Sequence, residues 1–280
     1  MQIAATPRAE IGVNRAGLFA FLAVLLLVNS ELPLAAQDVA AEGLWRSGLN
    51  LFAVGLVFYV AGFAFITVAR AADDEPVRPL DWLAAVVVSL LALVPLHWFA
   101  KSAFVPLAAY ALATSPRESP VWRIGVVAAT FVGGAFLLSA FAEPILALDA
   151  TIVRAVTGSS GYGNVVDTDF VPGSNQITHV IILEACSSLK NLSQATILWA
   201  SLTQMFRTPI TRPIVLAGIA AGVAVVATNV VRIAAIVRFP QYYEWLHHGP
   251  GATLFGLASL VACGAILCAA ILHASQPRRA

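Results

Sequence analysis

Long, continuously apolar runs separated by short polar segments make up most of this chain. The runs do not alternate apolar and polar residues, so they are typical of membrane-spanning helices and not of barrel strands. The eight runs cover residues 16–35, 48–69, 81–99, 102–115, 121–142, 187–206, 213–235 and 252–273. We therefore predict an all-α polytopic membrane protein with about eight transmembrane helices.

The pattern predicts one integral membrane domain over residues 1–280, with five spans in residues 1–142 and three in a catalytic half, residues 143–280. The fourth run, 102–115, is the weakest, because it is short for a bilayer and contains Pro106. It either crosses the membrane or re-enters on the same side. The distribution of positive charge favours crossing.

If all eight runs cross, ten of the sixteen basic residues share one side: Arg8, Arg15, Arg70, Arg78, Arg117, Arg123, Arg207, Arg212, Arg278 and Arg279. The other six face the opposite side: Arg46, Lys101, Arg154, Lys190, Arg232 and Arg238. The positive-inside rule makes the first side cytoplasmic. We expect a multi-pass protein of the plasma (cytoplasmic or inner) membrane, with both termini cytoplasmic and Cys186, Arg232 and His247 outside.

The first run has a second interpretation. Arg8 and Arg15 precede it, and Leu34-Ala35-Ala36 follows its apolar part, which is the pattern of a cleaved signal peptide. Cleavage would leave the rest of the topology unchanged.

The longest segment outside the runs, residues 143–186, falls on the predicted outer side. Its first part places Ile145, Leu148, Ile152 and Val156 on one helical face, which indicates a helix lying on the membrane surface. Two β-prone runs, 164–170 and 176–183, then flank a Pro-Gly turn in residues 171–175. They predict a short extracytoplasmic β-hairpin whose second arm leads to Cys186.

Composition supports a membrane protein, because 59% of the residues are hydrophobic and 11% are charged, against about 25% charged in soluble domains. A net charge of +1 gives no reason to expect nucleic acid as a partner; the lipid bilayer is the expected one. Three cysteines do not form a disulfide framework. Cys263 and Cys268 lie in an apolar run and are interpreted as small buried residues.

Cys186 differs, because it stands where a polar loop enters the sixth run. In the first turn of that helix, free N–H groups and the positive end of the helix dipole would favour the nucleophilic thiolate. Lys190, one turn on, adds positive charge. The alternative is a small residue that happens to lie at a helix start.

Arg232 lies inside the seventh run, where an arginine is costly unless it pairs or has a function. Asn229 is three residues earlier and shares its helical face, so the two side chains can enter one pocket. The alternative is that Arg232 extends to the lipid headgroups, as we expect Arg238 to do.

The loop between the last two runs carries His247 and His248, which can act as base and acid because histidine titrates near neutral pH. Metal binding and a plain polar loop are the alternatives. Metal is disfavoured, because no familiar carboxylate–histidine spacing is present and adjacent histidines are expected to point apart. We expect no metal and no cofactor. His97 and His179 are reserve candidates, and His273 is interpreted as structural.

Three segments together resemble the exosortase/archaeosortase family of membrane-embedded cysteine transpeptidases. Residues 184–190 (Glu-Ala-Cys-Ser-Ser-Leu-Lys) are similar to its Ala-Cys-Ser-Gly-Leu-Arg segment, and residues 229–233 to its Asn-x-x-Arg segment. Residues 247–255 are similar to its His-x-x-x-Gly-x-x-x-Phe segment. Ser188 stands where glycine is usual and Lys190 where arginine is common, so the subfamily and its sorting motif stay open.

The resemblance implies a protease and transpeptidase that processes exported proteins bearing a C-terminal tail of a short motif, a transmembrane helix and a basic cluster, the PEP-CTERM arrangement. It implies Cys186 as the nucleophile that forms a thioester, Arg232 as the transition-state stabiliser and His247 as the acid and base, with His248 as second choice. His247 is preferred because it stands four residues before Gly251 and eight before Phe255. Asn229, Glu184 and Lys190 are expected to support them.

Other function classes predict other features. A transporter would place ionisable groups near the middle of the membrane, whereas here they collect at one rim. A non-catalytic scaffold for envelope assembly would not need Cys186. A membrane acyltransferase would more typically carry an intramembrane histidine.

Overall fold

The computed structural model describes residues 14–42, 44–71, 75–94, 97–137, 140–168 and 179–276. Within these ranges the chain is mostly helical. The N-terminal half contains five helices: α1 (Arg15–Glu42), α2 (Leu44–Arg70), α3 (Pro79–Leu93), α4 (His97–Thr114) and α5 (Pro120–Val132), which continues as a π-helical turn over Gly133–Leu137.

The C-terminal half begins with α6 (Ala142–Thr157) and two short strands, β1 (Val165–Asp167) and β2 (His179–Ile181). A 3₁₀ turn, Glu184–Cys186, leads into α7 (Ser188–Met205), which is followed by α8 (Arg212–Arg238). A second 3₁₀ turn, Pro240–Tyr242, and the short helix α9 (Tyr243–His247) lead to α10 (Pro250–Ser275).

A helix occupies each of the eight apolar runs predicted from the sequence. Among the described residues, α8 and α10 are long and apolar enough to cross a membrane, and residues 55–70, 79–93, 99–114 and 120–132 form shorter apolar helices. Crossing by the other six helices stays a prediction. That includes α4, which has 18 residues and Pro106 in its interior.

The largest apolar cluster joins α1 to α5, with Phe19, Leu22 and Leu26 of α1 fully buried in it. At one end of this bundle the buried Arg15 guanidinium binds the buried Asp81 carboxylate at 2.9 Å. The Tyr110 hydroxyl donates a hydrogen bond to the same carboxylate at 3.0 Å. These contacts fasten α1, α3 and α4 together, since a buried charge requires a partner.

The second half packs around α8. One apolar cluster lies between α7, α8 and α10, and another joins α6 and the strands to α8. β1 and β2 pair antiparallel with Val166 opposite Val180, so the two β-prone runs do form paired strands directly before Cys186. The predicted turn at 171–175 lies outside the described residues, and the membrane side of the strands stays a prediction.

α6 has an exposed apolar side where the sequence predicts a membrane-facing one. Ala150 and Val153 are buried against α8, whereas Leu148 and Val156, on the predicted membrane-facing side, are 55% and 65% exposed. Contact of the exposed side with the membrane stays a prediction. The buried side also carries Asp149, a carboxylate only 1% exposed, which bears on the site described next.

Candidate active site

Cys186 lies in the 3₁₀ turn and not in the first turn of α7 as the sequence predicts. Its N–H donates to the Leu183 carbonyl at 2.9 Å. Ser187 is the N-cap of α7, because its hydroxyl accepts a hydrogen bond from the Leu189 N–H at 3.2 Å. Serine is a strong helix cap, so the helix begins at Ser188, and Cys186 is the last residue of the turn before it.

The N-terminus of α7 binds a carboxylate of the protein and not the thiol. The Ser188 N–H donates to Asp149 Oδ2 at 2.7 Å, and the Ser188 hydroxyl donates to Asp149 Oδ1 at 2.8 Å. Ser188, which stands where the family pattern has glycine, thus supplies a second donor to Asp149. Sequence reasoning missed Asp149, although the signal was present: it is the one acidic residue in the apolar stretch 144–153.

Arg232 and Asn229 of α8 both reach the turn that holds Cys186. Arg232 Nη2 donates to the Cys186 carbonyl at 2.8 Å, and Asn229 Nδ2 donates to the same oxygen at 3.1 Å. Asn229 Nδ2 also lies 3.3 Å from the Ser188 hydroxyl. Arg232 therefore faces the protein interior beside Cys186, and the alternative in which it extends to the lipid headgroups does not describe its position.

His247, at the end of α9, contacts the thiol. Its Nε2 lies 2.6 Å from Cys186 Sγ. Its Nδ1 lies 2.9 Å from Nε2 of His248, so the adjacent histidines do not point apart as we expected but form a chain from the thiol outward. They can do so because His248 lies beyond the end of α9, as its C-cap. Tyr243 stacks on the His247 ring with centroids 4.9 Å apart.

The pKa values of the two groups in this pair shift in opposite directions. Burial raises the pKa of the Cys186 thiol, and the positive charges of Arg232 and Lys190 offset that effect only in part. Burial, with the charges of His248 and Arg232, lowers the pKa of His247. Both directions favour a neutral thiol beside a neutral imidazole. Burial thus acts against the thiolate, whereas Arg232 and Lys190 act in its favour.

The remaining predicted residues lie further from the thiol. Glu184 is exposed, and its carbonyl accepts the Ser187 hydroxyl at 2.9 Å, so its contact with the site is through the backbone. Lys190 is exposed and acts on Cys186 through charge alone. The His97 side chain is outside the described residues. His273 is exposed in the last turn of α10.

A cavity of about 350 Å³ connects these groups. Its lining joins Cys186, Arg232 and His247 to Tyr243 and to residues 179–183, which comprise β2 and the two residues after it. Ile233 and Ile236 of α8 complete the wall. A thiol, an imidazole and a guanidinium thus share one space that is large enough for a few residues of polypeptide.

Known proteins were compared with the chain by sequence and by structure. No curated protein and no solved structure shows a significant match. The family model described as Transmembrane exosortase (Exosortase_EpsH) matches residues 14–264 of the 280. That range includes all the helices from α1 to α9, the cavity and most of α10. The chain therefore belongs to the transmembrane exosortase family and is a membrane protein.

Proposed function

We propose that this protein cleaves C-terminal sorting tails of exported proteins through a thioester on Cys186, at the outer face of the plasma membrane. The observation that supports this most directly is the contact of Cys186 Sγ with His247 Nε2 at 2.6 Å inside the cavity that Arg232 also lines. Family membership supports a transpeptidase-like role in sorting.

The chemistry begins with a proton transfer. As Sγ attacks the scissile carbonyl carbon, the thiol proton passes to His247 Nε2, a C–S bond forms and the carbonyl oxygen takes the negative charge. When the tetrahedral intermediate collapses, the C–N bond breaks, and the imidazolium gives its proton to the leaving amine. A thioester and a neutral His247 remain. An acceptor amine or water then attacks the thioester carbon and passes a proton to His247. The new C–N or C–O bond forms, the C–S bond breaks, and the imidazolium returns its proton to Sγ, which restores the thiol.

Arg232 suits the role of oxyanion stabiliser. Its Nη2 is engaged by the Cys186 carbonyl, whereas its Nε is buried and has no hydrogen-bond partner among the described residues. Leaving a buried donor without a partner costs free energy. The interaction of such a donor with its surroundings becomes more favourable when negative charge develops nearby. The guanidinium is thus held beside Cys186 by one bond, and its positive charge can stabilise the negative charge of the intermediate.

The substrate is proposed to be anchored in the same membrane by the transmembrane helix of its tail. The thiol precedes the first residue of α7, so it lies at the end of an apolar helix and not midway along it. A peptide bond just outside the tail's own helix would reach the same height. Anchoring both partners in one bilayer replaces a three-dimensional search with a two-dimensional one, which raises the effective concentration.

The test is processing of a tailed precursor in the native host by Cys186→Ala, with Cys268→Ala as the control. Cys268 lies on α10 and is exposed, not buried as its apolar run predicts. We expect Cys186→Ala to accumulate full-length precursor in the membrane, with processing lowered at least a thousandfold, because no other group forms the thioester. Cys268→Ala should process normally. Normal processing by Cys186→Ala would overturn the proposal and favour a non-catalytic scaffold.

A further inference from the structure

The wall of the cavity contains the edge of a β-sheet. β2 has a strand neighbour, β1, on one side, and within the described residues the sheet contains no third strand. The cavity lies against residues 179–183, and no residue of β1 lines it. Of the two strands, β2 therefore borders the space that Cys186, Arg232 and His247 share.

The strand register fixes which backbone groups point into this space. The Ile182 N–H donates to the Asn164 carbonyl at 2.9 Å, and the Asn164 side chain donates to the Ile182 carbonyl at 3.0 Å. Ile182 is thus bonded toward β1. Because successive residues of a strand direct their N–H and C=O groups to opposite sides, the backbone groups of Ile181 and the N–H of Leu183 point away from β1.

These outward groups lie beside exposed apolar side chains. Ile181 is 50% exposed and Leu183 is 59% exposed, whereas Ile182 between them is 1% exposed. Leu183 is in extended conformation, so the edge continues past β2 to the turn that holds Cys186. Five extended residues, 179–183, span about 16 Å. The edge therefore leads directly to the thiol.

We propose that the substrate segment at the scissile bond binds in extended conformation as a third strand along Ile181 to Leu183, an inference that rests on the proposed function. A peptide bond under nucleophilic attack cannot keep its N–H and C=O groups in helical hydrogen bonds. In a partly apolar cavity these backbone groups need other hydrogen-bond partners. The edge supplies them at the spacing of a strand. Ile233, Ile236 and Tyr243 line the same cavity and would lie beside the added strand.

Proline at Ile181 tests the backbone contact, with alanine at the same position as the matched control. Ile181→Pro removes the outward N–H and leaves the β1–β2 hydrogen bonds intact, because proline is tolerated where the N–H faces away from the partner strand. Ile181→Ala removes the side chain and keeps the N–H. We expect Ile181→Pro to process a tailed precursor about tenfold more slowly than Ile181→Ala, the loss expected for one unmade hydrogen bond.

Alkylation of Cys186 by iodoacetamide separates this inference from the proposed function. The reagent is too small to need the strand edge, so all variants should react at the wild-type rate. If wild-type protein processes the precursor and Ile181→Pro equals Ile181→Ala, strand addition is wrong and the proposed function stands. If wild-type protein processes no tailed precursor, the proposed function itself fails.

Disulfide trapping covers the case in which the proline variant does not fold. Ile181→Cys is placed in a chain with Cys186→Ala and paired with precursors that each carry one cysteine near the scissile bond. Paired strands bring facing side chains to about 5 Å, and successive residues face opposite sides. Cross-linking should therefore alternate along the precursor with a period of two. Uniform cross-linking, or none, would overturn strand addition.

Discussion

His247 has a different neighbour on each of its two ring nitrogens, and this sets the direction in which protons move. Nε2 faces Cys186 Sγ and Nδ1 faces His248. When His247 takes the thiol proton, Nδ1 must carry a hydrogen, which points to His248 Nε2. His248 therefore fixes the His247 tautomer in the way that a hydrogen-bonded second group does in other histidine sites. We interpret it as a positioning residue and not as an alternative base.

The pH dependence of processing follows from this arrangement. The pKa of His247 is lowered, so the imidazole stays neutral, and able to accept a proton, below the pH at which a free histidine is charged. We expect the acid limb of kcat/KM to lie below pH ~6.5. His248→Ala removes a neighbouring positive charge and should move that limb to higher pH. Measuring kcat/KM between pH 4.5 and ~8 for both proteins checks this, and an unmoved limb would contradict it.

Asp149 connects α6 to the turn that holds Cys186. It receives both donors of Ser188, two residues after Cys186. Burial raises its pKa, which the Ser188 bonds and the Arg232 charge offset only in part. The Asp149 carboxylate and the Ser188 donors therefore stabilise one another, since a buried polar group without a hydrogen-bond partner costs free energy.

Asp149→Ala should lower both stability and activity. Loss of the two bonds leaves the Ser188 donors buried, so the free energy of unfolding should fall by about 2–3 kcal/mol. The turn would shift relative to His247, and processing should slow by about tenfold or more, because catalysis is sensitive to displacements near 1 Å. Glu143→Ala, an exposed carboxylate of the same helix, is the control. Thermal unfolding in detergent and precursor processing measure the two effects.

The residues with rare chemistry could be found from sequence, whereas their electrostatic state could not. Arg232 is conspicuous because charged groups are scarce in apolar runs, and the resemblance of short segments to a family indicates Cys186 and His247. The structure places all three in one cavity. The raised pKa of the Cys186 thiol depends on burial, and Asp149 acts through a contact 39 residues away along the chain. Both depend on contacts between residues that are distant in sequence, so the spacing of residues along the chain does not predict them.

β1 and the loop before it position β2, which leads to Cys186. Arg154 of α6 donates to the carbonyls of Gly163 at 3.1 Å and Val165 at 2.8 Å. Gly161 has φ +134°, and a Cβ there would overlap the Val165 carbonyl oxygen that Arg154 binds. The loop thus requires glycine for conformation and for space. The sequence indicated a loop and two strands, but not that α6 anchors them.

Gly161→Ala should therefore disrupt the loop, and Gly158→Ala provides the matched comparison. Gly158 also has positive φ, +70°, but its Cβ would have no heavy atom within 4 Å. Gly158→Ala should cost about 1 kcal/mol for the left-handed conformation, and Gly161→Ala about 3 kcal/mol or more, because backbone strain and overlap combine. Thermal unfolding compares the two. Equal losses would mean that the overlap is relieved without cost.

At the scale of the whole molecule, α7 separates two polar ends. Cys186 precedes its first residue, and its 18 residues extend about 27 Å. At the far end, Arg207 lines a second cavity with Arg117, Arg123 and Glu75. Arg15 and Arg78 contact Glu75 there. Several arginines that the sequence assigns to the cytoplasmic side therefore do gather at one end, opposite the thiol.

Which membrane face each end occupies is a prediction that labelling can decide. Positive-inside orientation places the arginine end in the cytoplasm and Cys186 outside. Tyr162, 79% exposed in the loop after α6, and Arg117, exposed in the loop before α5, serve as reporters. Each is changed to cysteine in a chain whose three native cysteines are alanine.

A membrane-impermeant maleimide applied to intact spheroplasts should label Tyr162→Cys at once, and Arg117→Cys only after the membrane is opened. The reverse pattern would put the thiol in the cytoplasm, where it could not meet the exported part of a tailed precursor. Labelling of both from outside would mean that α5 and its π-helical turn do not cross the membrane. The predicted orientation of α7, which depends on that crossing, would then be unsupported. Cleavage outside the membrane, with the arginine end in the cytoplasm, requires that Tyr162→Cys is labelled from outside and Arg117→Cys is not.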